Sequence, residues 1–165
     1  IDGAILDNII DYLNYVVVPV FIFYSLGMAP EPYLLLSCVA ILLVSCFTFT
    51  NTNIKTDDFY FSGFPAIWNI VVLYFYILEF SEFTNFIFVI LFCVLTFIPF
   101  KYVHPFRVVE FRKITLIITL IWMITTTILL FDVSFSNPTF TSTNFFIWLI
   151  TNVYFAGNIV FRSIK

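Results

Sequence analysis

Charge is scarce in this sequence: Asp, Glu, Lys and Arg together make up 10% of 165 residues, against 62% hydrophobic residues. A soluble globular domain carries about 25% charged residues, and a mean hydropathy of +1.06 excludes that class. The formal net charge of −3 says nothing about nucleic acid by itself, but there is no basic stripe to bind one, and no nucleic-acid partner is expected. Cysteine is sparse and unpatterned. Cys38, Cys46 and Cys93 each sit inside an apolar run, with no Cys-x-x-Cys or Cys/His spacing, so they are read as packing residues. With His104 as its single histidine, the chain cannot carry a motif that needs two. It also lacks an initiating Met and a basic segment before a short apolar core, so Ile1 does not open a signal peptide. It opens in mid-motif, and an N-terminally truncated protein is expected.

What remains is six apolar segments separated by polar breaks: about 5–26, 33–49, 64–79, 83–100, 114–131 and 144–161. Pro30 and Pro32 with Gly27 end the first, and Pro65 is expected in the first turn of the third, where its missing N–H is harmless. Each is about 17–22 residues, the length of a helix that crosses ~30 Å of hydrocarbon. They are apolar on all sides, unlike the alternating strands of a membrane barrel. The expected fold is therefore all-α, a polytopic transmembrane bundle with six spans, forming one integral membrane domain over 1–165.

The breaks divide cleanly by charge. Numbering them alternately from the N-terminus puts Lys55, Lys101, Arg107, Arg112, Lys113, Arg162 and Lys165 on one side and Glu31, Glu79, Glu82 and Asp132 on the other. The positive-inside rule makes the first side cytoplasmic.

Against this background the start of the first segment stands out. Gly3, Asp7 and Asp11 are four residues apart and share one helix face. A charged side chain deep in a span costs about 2.5–3.5 kcal/mol on insertion scales, so two on one face point to a function. Paired carboxylates are hard oxygen ligands suited to Mg2+ or Mn2+, and the glycine one turn away leaves room at the backbone. Asp2, outside the spacing, is read as the helix N-cap.

The stretch Gly3-x3-Asp7-x3-Asp11 resembles the second half of the signature of the CDP-alcohol phosphatidyltransferases, D-x2-D-G-x2-A-R, a spacer, then G-x3-D-x3-D. The first half is missing. Lys55-Thr56-Asp57-Asp58, then Gly63-Phe64-Pro65-x2-Trp68-Asn69, and Val103-His104-Pro105-Phe106-Arg107 are similar to one branch, the bacterial phosphatidylcholine synthases. The resemblance covers nearly the whole chain, as the C-terminal part of a domain with about eight spans. It implies a bacterial inner-membrane enzyme that condenses CDP-diacylglycerol with choline at the cytoplasmic face, giving phosphatidylcholine and CMP with Mn2+ or Mg2+. A homodimer is a compatible assembly. By the motif, Asp7 is a metal ligand, Asp11 a ligand, the general base for the choline hydroxyl, or both, and Gly3 lies against the nucleotide.

Lys55 and Arg107 are expected to hold the pyrophosphate, though any cytoplasmic loop carries such charges. For the choline ammonium, held by aromatic faces, the candidates are Trp68, then Tyr12 and Tyr15; interfacial aromatic belts offer an alternative account of all three. The competing readings are the same chemistry with serine, inositol or glycerol phosphate as acceptor, and a membrane ion or solute carrier using Asp7 and Asp11 as its ion site. The fragment alone, lacking the other motif acids, is expected to be inactive.

Overall fold

The computed structural model describes residues 2–51, 60–107, 109–134 and 143–164. Six helices account for most of them. α1 spans Gly3–Ser25, α2 Glu31–Thr50, α3 Trp68–Leu78, α4 Glu82–Leu95, α5 Arg112–Ser134 and α6 Thr143–Ile164. This is an all-α membrane bundle, and the helices stand where the apolar segments were expected. α1, α2, α5 and α6 are long and apolar enough to cross a membrane. Leu35 and Ile150 show why water cannot be their surroundings: they are 67% and 69% exposed on these helices, and lipid is the medium that accepts such side chains without cost.

α3 and α4 are shorter than expected, at 11 and 14 residues, or about 16 and 21 Å at 1.5 Å per residue. The cause at α3 is local. Gly63 and Ala66 both have positive φ, +84° and +54°, so the chain turns through Phe64-Pro65-Ala66 and becomes helical only at Trp68. Pro65 therefore lies before the helix, not in its first turn as expected. α4 stops at Leu95, four residues ahead of Pro99, in a turn closed by Phe97 N–H to Val94 O at 3.0 Å and Ile98 N–H to Leu95 O at 3.3 Å.

By contact clustering the described residues fall into two compact units, one made of residues 2–51 and 62–99 and the other of residues 60–61 and 100–164. In the first, α1 packs on α2 and α3, and α2 packs on α4. Phe23 and Ile41 are fully buried there, and Phe23 meets Phe75 at 6.2 Å between ring centroids. α1 and α2 are joined by the short break 26–30, which makes them antiparallel neighbours.

In the second unit α5 and α6 form a hairpin joined by hydroxyls. Thr126 Oγ1 accepts from Trp148 Nε1 at 3.1 Å, and the Thr115 and Tyr154 hydroxyls are 2.7 Å apart. Hydroxyls on such helices are tolerated in lipid where they also reach a carbonyl one turn back, as Thr126 Oγ1 does to Trp122 O at 2.6 Å and Thr119 Oγ1 to Thr115 O at 2.7 Å. A two-stranded sheet of β1 (Tyr60–Ser62) and β2 (Lys101–Val103) stands where only polar breaks were expected. Aromatic and β-branched side chains in Tyr60-Phe61 and Tyr102-Val103 favour that pairing. β2 is tied to α6 by Lys101 N–H donating to Ser163 Oγ at 2.8 Å. Burial within this unit raises the Tyr102 phenol above its ordinary 10.

Candidate functional site

α1 begins at a built cap. Asp2 is extended and its Oδ1 accepts the N–H groups of Ala4 at 2.9 Å and Ile5 at 3.3 Å. This is the N-cap role expected of it, and it removes Asp2 from the ligand set. Gly3 follows in open space: a Cβ there would meet nothing within 4 Å. Packing within the chain therefore does not require glycine at this position, and the bare backbone is left facing outward.

Asp7 is exposed and Asp11, one turn deeper, is half-buried. At 1.5 Å per residue the two lie about 6 Å apart along the helix axis, on one face. Immediately after Tyr12 the helix loosens into a π turn over Leu13–Val17, where Val18 N–H donates to Leu13 O. Pro19 explains the position, since a residue without an N–H breaks the regular ladder one turn back. The widened turn thus begins two residues beyond Asp11.

The aromatic candidates separate. Trp68 is 1% exposed, donates its indole N–H to Ser45 Oγ at 2.8 Å, and packs in edge contact with Phe64 and Phe92 at 5.3 and 6.2 Å. Its ring faces are enclosed, so the structure gives Trp68 a core role in place of the choline contact expected from its position near a helix start. Tyr12 is half-buried and fixed: its hydroxyl donates to Leu42 O at 2.9 Å, and its ring meets Phe49 edge-on at 5.6 Å. These contacts pin α1 to α2 beside Asp11. Tyr15 is exposed. Asn69, next to Trp68, has its Oδ1 buried with no hydrogen-bond partner.

Lys55 lies outside the described residues. Arg107 is exposed in the second unit, in a turn where its N–H donates to His104 O at 3.1 Å. Among the described residues no group of three or more His, Cys, Asp or Glu side chains is poised to hold a metal. Asp7 and Asp11 form a two-carboxylate face, whose oxygen donors match a hard divalent ion in type but provide only part of a coordination shell.

The polar and aromatic residues at the far ends of α2 and α4, Phe47, Asn51, Thr96 and Phe97, drew no notice in the sequence. They border a cleft in the first unit. The available signal was a polar residue closing each of two apolar runs beside a phenylalanine, a pattern too common in this chain to single them out.

Comparison with known proteins gives a consistent result. The chain is 37% identical over 164 residues to the phosphatidylcholine synthase of Pseudomonas aeruginosa, a match that takes in 99% of this chain and 67% of that protein. It is 43% identical over 121 residues to the phosphatidylcholine synthase of Borreliella burgdorferi, covering 73% of this chain and 52% of that one. With that of Legionella pneumophila the identity is 49% over 108 residues, or 65% of this chain and 42% of the relative. The chain thus spans between two fifths and two thirds of the length of these relatives. No family model matches it, and no solved structure does. On the strength of the match to the Pseudomonas protein, which takes in two thirds of that protein and nearly all of this chain, the chain belongs to the phosphatidylcholine synthase family of phosphatidyltransferases.

Proposed function

We propose that the protein carrying this chain transfers the phosphatidyl group of CDP-diacylglycerol to choline, forming phosphatidylcholine and releasing CMP. The observation that supports this most directly is the Asp7/Asp11 face at the head of a spanning helix, in a chain that belongs to this family. In the reaction the choline hydroxyl oxygen forms a bond to the phosphorus that carries diacylglycerol, and the bond from that phosphorus to the CMP oxygen breaks. The hydroxyl proton must leave as the bond forms. Asp11 is suited to accept it, because a half-buried carboxylate can reach a substrate while remaining partly shielded from water. Asp7, exposed one turn nearer the helix start, is placed for the more solvated pyrophosphate. Mg2+ or Mn2+ held by Asp7 and Asp11 with further ligands would neutralise charge on the departing nucleotide. Gly3, whose backbone is unobstructed, offers the nucleotide a surface without side chains.

The segregation of Lys and Arg supports placing this end of α1 at the cytoplasmic face of the inner membrane, where a water-soluble alcohol and CMP exchange with the cytosol. The test uses membranes from cells expressing the complete gene, supplied with CDP-diacylglycerol, Mn2+ or Mg2+, and labelled choline or serine. Labelled phosphatidylcholine that disappears with Asp11→Asn is the expected result. Serine incorporation would keep the transferase chemistry and remove choline as acceptor. No lipid product from any alcohol, in correctly inserted protein, would favour an ion site at Asp7 and Asp11.

A further inference from the structure

Two buried amide oxygens of the first unit have no hydrogen-bond partner among the described residues, Oδ1 of Asn69 and Oδ1 of Asn85. An acceptor kept from both water and a donor is costly, so each needs a reason to be there. The Asn85 amide has one. Its Nδ2 donates to Met28 O at 3.0 Å, which ties the start of α4 to the break after α1. For Asn69 no bond of that kind is formed among the described residues. It is the second residue of α3, whose N-cap, Ile67, makes no side-chain cap hydrogen bond.

Two anchors on α2 bring Asn69 to the depth of Asp11. Tyr12, beside Asp11, donates to Leu42 O at 2.9 Å, and Trp68, beside Asn69, donates to Ser45 Oγ at 2.8 Å. Leu42 and Ser45 are three residues apart, about 4.5 Å along the helix axis. The π turn Leu13–Val17, which begins two residues beyond Asp11, packs on α3. Further along the same pair of helices Phe23 meets Phe75. Asp11 is on the inward side of α1: Ile9, Ile10 and Leu13 around it are exposed, whereas Asp11 and Tyr12 are half-buried. Asp11 and Asn69 therefore stand at one level on two helices in contact.

The partner that Oδ1 lacks must bring a hydrogen-bond donor from outside the chain. Asp7 and Gly3, one and two turns nearer the start of α1, are placed for the pyrophosphate and the nucleotide. At the depth of Asp11 the substrate is the acceptor alcohol. Choline has a single donor, its hydroxyl. An amide oxygen accepts that hydrogen bond without taking the proton, which leaves the proton for Asp11.

We infer that Asn69 binds the hydroxyl of the acceptor alcohol: its Oδ1 accepts the O–H in the bound state and holds the oxygen beside Asp11. Rotation about the C–O bond of the alcohol turns the same hydrogen to Asp11. The proton passes to that carboxylate as the oxygen bonds to phosphorus and the bond from phosphorus to the CMP oxygen breaks. The inference rests on the choline reading above. It also gives the site a means to reject a quaternary ammonium that has no hydroxyl, because that ligand leaves Oδ1 unpaired.

The experiment is equilibrium binding of labelled choline and labelled tetramethylammonium to the purified full-length protein. Phosphatidylcholine formation and thermal unfolding are measured on the same preparations. The parent is expected to bind choline more tightly than tetramethylammonium. Asn69→Leu, similar in shape but unable to accept a hydrogen bond, is expected to weaken choline binding roughly two- to tenfold. Its affinity for tetramethylammonium and its KM for CDP-diacylglycerol should match the parent's, so the preference for choline disappears. Without choline, Asn69→Leu should unfold at the parent's temperature or above, since an unpaired buried oxygen has been removed. Should the leucine variant fail to fold, Asn69→Ala reads the same preference. A parent that binds tetramethylammonium as tightly as choline overturns the inference, as does a folded Asn69 variant with unchanged choline affinity or with equal losses for both ligands. If phosphatidylcholine still forms in that case, the transferase reading stands without Asn69. A choline preference that depends on Asn69, without any lipid product, removes the transferase reading and leaves the hydroxyl site.

Discussion

The head of α1 and the tail of α6 treat charge in opposite ways. At the tail, Arg162 is buried at 7% exposure, yet it is matched on several sides: its guanidinium pairs with the Glu110 carboxylate and lies 5.7 Å from the Tyr60 ring centroid and 5.6 Å from that of Phe161. At the head, the carboxylates of Asp7 and Asp11 stand on an exposed to half-buried face, with unobstructed backbone at Gly3. A charge whose partners come from its own unit is there to hold that unit together. The Asp7 carboxylate is exposed on a helix whose surface is otherwise made for lipid, which is the observation behind the proposed ligand role of this face.

The comparison is broken most severely at Asp11. Asp11→Asn keeps size and polarity but cannot accept the hydroxyl proton, and we expect phosphatidylcholine formation to fall by at least about 10²-fold, the low end for a lost general base. Protein yield and thermal stability should be close to the parent's. Asp7→Asn should also reduce activity, and raising the Mn2+ or Mg2+ concentration should restore part of it, as expected for a weakened ligand. Similar losses of stability in both variants would place the pair with Arg162, as structural charges.

The converse holds at α6. Arg162→Met removes the guanidinium from Glu110 and from two aromatic rings, and the expected loss of stability is roughly 1–3 kcal/mol. Most of the Glu110 side chain reaches solvent, at 58% exposure, which keeps the loss below that of a fully buried pair broken at one end. Thermal unfolding in detergent measures it. The KM for choline in the protein that remains folded should be unchanged; a shift in KM larger than the shift in stability would move Arg162 into the substrate site.

How far the sequence disclosed all this depended on what each feature rests on. Helix count and approximate position were legible because hydropathy alone determines them, as was the Asp2 cap, which depends on residues two and three positions on. The shortening of α3 was not, because it results from positive φ at Ala66, a residue with no intrinsic preference for that region. Trp68 was misread for a related reason. An indole near a helix start has the same sequence appearance at an interfacial belt, in a ligand cage and in a core, and only the neighbours decide; here they are Ser45, Phe64 and Phe92, from 23 residues before to 24 after. The cleft at Phe47 and Phe97 was invisible because it exists only when two helix ends from distant parts of the chain meet.

Trp68→Phe sharpens the point about cores and cages. The ring remains, so packing against Phe64 and Phe92 is largely kept, while the 2.8 Å hydrogen bond to Ser45 Oγ is lost. We expect a destabilisation of about 1–2 kcal/mol, from leaving a buried hydroxyl without its donor, and an unchanged KM for choline. Replacing Ser45 with Ala in the same background should cost little more, because the two groups act as one pair.

The smallest expected effect is at Asp2, and it tests whether position near the acid stripe is enough to confer function. Asp2 is five residues from Asp7, carries the same charge and is also exposed, but its Oδ1 accepts from the N–H groups of Ala4 and Ile5. Asp2→Ser retains an N-cap acceptor and should leave stability and activity close to the parent's. Asp2→Ala removes the acceptor and is expected to cost about 0.5–1 kcal/mol, read as fraying of the first turn of α1 by amide hydrogen exchange. Activity should follow the cap and not the charge, so that Ser rescues what Ala loses. If Ser instead behaves like Ala, the carboxylate itself matters, and Asp2 would join Asp7 and Asp11 as a charge held outward for a ligand.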